Sequence, residues 1–473
     1  MIEIILGAAA ALAAVGGWYS FRSAQREEEL QWNWDGRNTD TLLFSPIEGE
    51  FMWGTATAAF QVEGNSSNSN WSDWENSTDK KGNPRIHGGQ KAGAACDHYN
   101  LFASDISAMA NDLGCNSYRF SLAWSRIEPQ EGQFDESAIA HYGDVIDACL
   151  QAGVTPMVTL HHFSHPSWFE QKGSFEKEEN IAFFERFAEV VFKAYSDRVV
   201  YWCTHNECGP FATMGWGMGA FPPGKKSLKL LAQVLLNLMR SHSRVYHRLK
   251  SLPNGDKAHI GLVKNIFQFD PEHRWNPVQW LVCNNLDEIY NESIIRAVKT
   301  GVFKIHIPGV FKIVENLPDL KGATDFIGLN YYSNLLISMR RALTPFKPVK
   351  RPHQIQTDFP YASYPEGFYR ALKRINTLNK PVIVTENGIP DDKDDRREDW
   401  IRRYIYAMRM AMNEGVDVKG FQYWSLLDNF EWAEGYTMRF GLYEVNFSTQ
   451  ARTLRESAKL YKKIIEETTI AQK

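Results

Sequence analysis

Two glutamates stand at the ends of apolar runs that are far apart in the chain: Glu207 follows VVYWCTHN and Glu386 follows PVIVT. Cleaving the acetal of a glycosidic bond needs a proton donor for the leaving oxygen and, on the other face of the sugar, a nucleophile or a base, so paired carboxyl groups suit the task. The two must differ in proton affinity. Repulsion between neighbouring carboxylates and partial burial would keep Glu207 protonated, while hydrogen bonds from groups such as Arg119 and Asn330 or Tyr332 would hold Glu386 ionised. Two unrelated surface glutamates are the alternative, and a single polar residue closing a strand is ordinarily a cap or a solvated turn. Here, however, seven run ends carry such groups: Gln61 and Glu63, Arg119 and Trp124, His161 and His162, Asn206 and Glu207, Asn330 and Tyr332, Glu386 and Asn387, and Trp424 with Glu431 and Trp432.

The runs themselves say what must position these residues. Short β-branched and aromatic stretches recur at 51–60, 117–124, 155–162, 199–206, 259–267, 325–332, 381–388 and 419–427. Amphipathic helical stretches separate most of them, among them Ile139 to Ala152 with Gly153 as its stop, Ile181 to Tyr195, and Trp400 to Asn413 with Gly415 beyond. Strands alternating with helices imply parallel β/α units, and eight units can close a TIM barrel, where reactive groups gather at the C-terminal strand ends because the loops there share one mouth. The expected architecture is α/β, one (β/α)8 barrel over 51–473. The long intervals after the fifth and sixth strands are then insertions walling the cleft.

Composition agrees with a large globular core, at 44% hydrophobic and 23% charged residues in 473. A net charge of −4 gives no reason to expect a nucleic-acid partner. Fifteen Trp, 19 Tyr and 28 Phe suit a cleft that stacks on the flat faces of sugar rings, although aromatics pack ordinary cores too. Six cysteines, thinly spread and without C-x-x-C spacing, read as free thiols and favour a reducing compartment. His161 and His162 invite a metal reading, but no third ligand lies at suitable spacing, and neither a metal nor another cofactor is expected. N-x-S/T triplets at Asn65, Asn70, Asn76, Asn291 and Asn446 would matter only in the secretory lumen.

The N-terminus differs. From Ile4 to Phe21 the chain reads IILGAAAALAAVGGWYSF, uncharged, with Arg22 and Arg26 beyond it. This is near the lower length for a transmembrane helix, and residues 1–21 are read as a membrane anchor followed by a polar connector, 22–50. A cleaved signal peptide competes, but Glu3 stands where a basic n-region belongs. Positive charge on the C-terminal side places the large domain in the cytoplasm, although Glu27, Glu28 and Glu29 follow at once.

The motifs FMWGTATAAFQVEG, CDHYNLFASDISAMANDLGCNSYRFSLAWSRIEP, TPMVTLHHFSHPSW, YWCTHNE, DFIGLNYYS, VTENGI and YWSLLDNFEWAEGYTMRFGLYEV, in this order over about residues 51–465, resemble the family 1 glycoside hydrolases. The resemblance implies a retaining β-glycosidase with Glu207, of the N-E motif, as acid/base and Glu386, of T-E-N-G, as nucleophile. It further implies that Gln61, His162, Asn206, Glu431, Trp424 and Trp432 hold the sugar and that Asn330, Tyr332 and Arg119 support the nucleophile. These roles have a physical sense of their own: Gln61 and Glu431 can bind vicinal hydroxyls, Trp424 offers a stacking face, and Asn206 can hold the 2-hydroxyl. Without the motifs, His162 and Trp424 would read as core residues.

Besides the S-F-E segment after Gly173, which stands in place of a commoner Gly-Trp pattern, two positions depart from the family pattern. The strand reads T-H-N-E-C instead of T-F-N-E-P, so His205 and Cys208 flank the proton donor. By strand alternation His205 points away from the mouth, close enough to affect Glu207, and Cys208 could bring sensitivity to oxidation. Hydrolysis of β-glycosides with retention, which expects carboxyl groups about 5 Å apart, is the leading function, and a lipid-linked sugar suits an anchored enzyme. Alternatives are transglycosylation by the same residues and an inactive sugar-binding receptor. A 6-phosphoglycosidase is disfavoured by the Glu431–Trp432 pair.

Overall fold

The structure of the protein is a computed structural model that describes residues 2–26, 30–307, 309–338, 350, 351 and 353–469. Glu27, Glu28 and Glu29 of the expected connector, and the ends of the expected anchor and barrel at residues 1 and 470–473, lie outside the described residues.

Each of the eight apolar runs corresponds to one strand of a closed parallel barrel. These are β1 (Met52–Ala56), β2 (Ser117–Ser121), β3 (Thr155–His161), β4 (Tyr201–His205), β5 (His259–Asn265), β6 (Phe326–Asn330), β7 (Val382–Asn387) and β8 (Val418–Trp424), each hydrogen-bonded to its sequence neighbours, with β8 closing on β1. The strands read as nearly continuous apolar runs because helices cover one face and the barrel interior the other. Met157, Cys203, Val263, Phe326 and Ile383, with Met52 and Tyr201 packed against them, fill the interior as a separate cluster. The barrel is therefore plugged, and its open end is the C-terminal mouth. Register sets the height of the reactive groups: Asn330 pairs with Asn265 on one side and with Glu386 on the other, where β7 shifts register between Val384 and Glu386.

The helices follow the expected pattern. Ile181–Tyr195 has the bounds that periodicity gives it. Glu136–Gln151 begins three residues before Ile139 because the Asp135 carboxylate accepts from the backbone N–H groups of Ser137 and Ala138. Gly153 (φ 70°) and Gly415 (φ 89°) occupy the left-handed turns that stop their helices. The insertions after β5 and β6 are joined by a parallel two-stranded sheet, Gln268–Pro271 with Asn334–Ile337. The connector is laid on the barrel: Trp32 and Trp34 both donate to the Glu366 carboxylate, from backbone and indole N–H respectively.

The N-terminal segment forms a helix, α1 (Ile2–Arg26), but the expectation of a spanning anchor is corrected: among the described residues no helix is long and apolar enough to cross a membrane. From Leu6 onward the segment is built largely of Ala and Gly, which are weakly apolar, and its last turns are polar and engaged. Asn284 of α2 (Pro277–Asp287) donates to the Tyr19 and Ser23 hydroxyls, and Ser20 donates to the Arg274 carbonyl. Those turns lie on the protein itself. Of the N-x-S/T positions, Asn70 and Asn291 are buried and out of reach of glycosylation.

Candidate active site

The chain leaves β4 through Asn206 and enters the short helix Cys208–Ala212, and the turn between puts Glu207 at φ 46°. Left-handed backbone costs a non-glycine residue about 1–3 kcal/mol and persists where surrounding contacts require it. Here it aims the carboxyl at the mouth, where Asn330 and Asn265 donate side-chain amide hydrogens to Oε1 at 2.8 and 3.0 Å. Glu386, from the last turn of β7, has stronger partners. Arg119 on β2 donates from Nη1 to Oε1 at 2.6 Å, and the Tyr332 hydroxyl donates to Oε2 at 2.7 Å.

Both carboxyls are buried, and burial raises both proton affinities. At Glu207 burial and then the neighbouring Glu386 push the pKa up to about 8, opposed by Asn330, Asn265 and Arg119. At Glu386 burial also raises it, but the Arg119 guanidinium and the Tyr332 hydroxyl pull the other way at hydrogen-bond distance. A cation and a phenol favour a carboxylate more than two amides do, so the proton shared by the pair belongs on Glu207.

Arg119 also organises the neighbours. Its Nη2 donates to Asn206 Oδ1 at 2.8 Å and its Nε to the Thr159 hydroxyl at 3.1 Å. Asn330 donates to the same Asn206 oxygen, so the Asn206 amide nitrogen is the donor towards His162 Nε2, 2.9 Å away. The His162 proton is then on Nδ1, which is buried without a hydrogen-bond partner among the described residues. Gln61 shows the same pattern: its Nε2 donates to Glu431 at 2.9 Å and Asn429 at 3.0 Å, and its buried Oε1 has no partner among the described residues. Unpartnered buried donors and acceptors at a barrel mouth are what a polyhydroxylated ligand would satisfy. Trp424 and Trp432 flank the His162 ring at 5.7 and 5.9 Å. Burial, opposed by Gln61 and reinforced by Glu386, raises the Glu431 pKa to about 8.

Thus Glu207, Glu386, Arg119, Asn206, Asn330, Tyr332 and His162 are linked by hydrogen bonds, Gln61 and Glu431 form an adjoining pair, and the two tryptophans pack beside His162. Other strand-end residues go elsewhere. Glu63 binds Arg126 and the Tyr142 hydroxyl, the Trp124 indole donates to Glu128, His161 faces His165, and Asn387 bonds the Tyr331 carbonyl and the Trp400 indole. Sequence reasoning missed Asn265, although it closes β5 as Asn330 closes β6, and it missed Thr159, which is one of many threonines in a strand.

His205 points outward as alternation requires. Its Nε2 lies 3.0 Å from the Ser241 hydroxyl, its ring packs 4.6 Å from Phe184, and burial holds its pKa well below the ordinary value. Cys208 is buried and burial pushes its thiol up to about 12, which disfavours the thiolate that oxidation requires.

Comparison with known proteins accords with this geometry. The model of glycosyl hydrolase family 1 matches residues 45–470. β-Glucosidase A of Thermotoga maritima is 32% identical over 442 residues, covering 88% of this chain and 96% of the relative. A 6-phospho-β-galactosidase of Clostridium acetobutylicum is 32% identical over 465 residues, with 88% and 96% covered. Among solved structures, the β-glycosidase from Pyrococcus horikoshii superposes with a TM-score of 0.79 at 33% identity, over 90% of this chain and 96% of the other. The β-glucosidase from Thermotoga maritima in complex with glucoimidazole superposes with a TM-score of 0.80 at 30% identity, over 90% and 100%. The chain belongs to glycosyl hydrolase family 1 and is a retaining β-glycosidase.

Proposed function

We propose that the protein hydrolyses β-glucosides or closely related β-glycosides by double displacement, with Glu207 as acid/base and Glu386 as nucleophile. The observation that carries this reading is the unequal bonding of the two buried carboxyls, a cation and a phenol on Glu386 against two amides on Glu207. In the first step the Glu386 carboxylate attacks the anomeric carbon while Glu207 passes its proton to the leaving oxygen. In the second, Glu207 takes a proton from water, whose oxygen displaces Glu386, so two inversions restore the configuration. Asn206 keeps one amide hydrogen beyond that given to His162, and this suits the 2-hydroxyl. Gln61 Oε1 and His162 Nδ1 are the further hydrogen-bonding groups offered to the glycone, and Trp424 and Trp432 its apolar wall.

Relatives named β-glucosidase support a glucose-type glycone. Against a 6-phosphorylated sugar stands the surrounding of Glu431, where the neighbouring charged groups Glu386, Glu434 and Glu207 are all acids. A 2-deoxy-2-fluoro-β-glucoside with a good leaving group tests the assignment: it should label the protein covalently, and peptide mapping should place the sugar on Glu386. A label elsewhere, with normal turnover, would overturn it.

A membrane-proximal position is favoured by a separate observation. Leu12, Val15, Trp18 and Phe21 of α1 are 60–74% exposed, and Trp275 beside α2 is 75% exposed. We infer that this face lies on a lipid surface without crossing it, which would suit sugars carried on lipids. The buried thiols of Cys96, Cys115, Cys149, Cys203 and Cys208 accord with a reducing side of that surface. Full-length protein should float with vesicles, and Trp18→Ser with Phe21→Ser should abolish flotation; unchanged flotation, or none from the start, would remove the reading.

A further inference from the structure

Lys264 is buried on β5 directly before Asn265, the residue that donates to Glu207. By alternation Asn265 turns inward to the mouth and Lys264 outward, against the wall made by α2 and the turn that follows it. There its ammonium donates to the Asn265 carbonyl and, at 3.0 Å, to the Asn291 side-chain oxygen, and stands 4.8 Å from the centre of the Tyr290 ring. The Tyr290 hydroxyl in turn donates to Asn265 Oδ1 at 2.8 Å. Lys264 and Tyr290 therefore grip Asn265 from its backbone and its side chain. Both acceptors of the ammonium are neutral. A buried ammonium without a bonded carboxylate is costly, and a methionine would fill the same space without that cost.

We propose that Lys264 is a positioning residue for the acid/base: it holds Asn265 against Glu207 and places a buried cation where it favours the ionised form of that carboxyl. This rests on the assignment of Glu207 as acid/base. Once Glu207 has given its proton to the leaving group it is a buried anion beside a second carboxyl. The Lys264 charge lowers the free energy of that state, making Glu207 a better donor than burial alone would allow. The groups facing Lys264 are Glu207 and Cys208 after β4, Asp287 of α2, Tyr290, and Arg374 of the helix Pro365–Ile375. Those facing Glu207 from other strands are Glu386 and Arg119, with Tyr332, Tyr361 and Glu431 beyond. Burial, with Arg374 adding, brings the Lys264 pKa down to about 7, while Glu207 and Asp287 oppose it. The cation therefore weakens in the same range in which Glu207 loses its proton.

Two variants separate the charge from the hydrogen bond. Lys264→Gln retains a donor for the Asn265 carbonyl and loses the charge; Lys264→Met loses both. In each, the basic limb of kcat/KM should move to higher pH by a few tenths of a unit, because Glu207 holds its proton more tightly and Lys264 is already losing its charge at that pH. In each, kcat should fall about tenfold for aryl glycosides with poor leaving groups and little for the best ones, with KM nearly unchanged. The carbon-13 resonance of the Glu207 carboxyl, assigned through Glu207→Gln, should titrate later in both variants. A folded variant whose carboxyl titration and basic limb both coincide with those of the wild type would overturn the role of Lys264. The carboxyl titration needs no turnover, so failure of the Glu207 assignment, seen as equal loss across leaving groups in Glu207→Ala, is read separately.

Discussion

Arg119 Nη1 and Glu386 Oε1 lie 2.6 Å apart, in an ion pair whose partners are both almost fully buried. The guanidinium is raised in proton affinity by Glu386, although burial opposes this, so the charge stays on the arginine and holds the carboxylate ionised. The same guanidinium donates to Asn206, so one side chain holds both the Glu386 carboxylate and the Asn206 amide in place.

Replacing Arg119 by Lys should therefore affect charge and alignment together. The point charge cannot reach Glu386, Asn206 and Thr159 at once, and Glu386 should hold its proton to higher pH. We expect kcat to fall about 100-fold and the acidic limb of kcat/KM to move up in pH. A pH profile with its acidic limb in place would show that Arg119 does not set the state of Glu386.

Glu386→Ala should lower turnover by at least about 10⁴-fold. Azide should enter the vacated space and restore turnover of activated substrates, giving the α-glycosyl azide by proton NMR. Glu207→Ala should spare the first step for the best leaving groups and lose the basic limb. A β-configured azide from Glu386→Ala would exclude attack by azide from the nucleophile's face.

The raised pKa of Glu207 has a consequence for stability. A carboxyl that binds its proton more tightly folded than unfolded contributes stability fully at pH below the unfolded value, about 4.3, and this contribution is lost as pH rises through the folded value, about 8. Glu207→Gln, which cannot ionise, should raise the melting temperature by about 2–4 °C at pH 9 and by less at pH 5. Scanning calorimetry at the two pH values would decide it, and a larger gain at pH 5 would contradict the sign.

Gln61→Ala would remove both the amide that bonds Glu431 and Asn429 and the unpartnered oxygen offered to the sugar. Glu431 would then be buried with one donor fewer, and kcat/KM for a glucoside should fall about 10–100-fold. Steady-state kinetics on the 4-nitrophenyl glucoside check this, and an unchanged value would remove Gln61 from the sugar site.

What could be read from the chain alone was whatever depends on local pattern. The alternation of strands and helices, the helix stops at Gly153 and Gly415, and the placing of Glu207 and Glu386 at strand ends all follow from periods of two and 3.6 residues and from glycine's access to left-handed backbone. The outward turn of His205 came from the same alternation. What local pattern could not say is which strand-end groups meet. Glu63, Trp124, His161 and Asn387 have the same credentials in sequence as Gln61 or Asn206, yet bond to helices and loops instead, because each one's direction is set by the twist and register of a closed barrel. Asn265 and Lys264 depend on contacts across 25 to 58 residues, and the raised proton affinity of Cys208 depends on burial, which a residue's own neighbours in sequence do not report. The N-terminal helix shows the same division: its formation is a local property, whereas the bonds of Tyr19, Ser20 and Ser23 to α2 and the segment before it arise only once the barrel has folded beneath them.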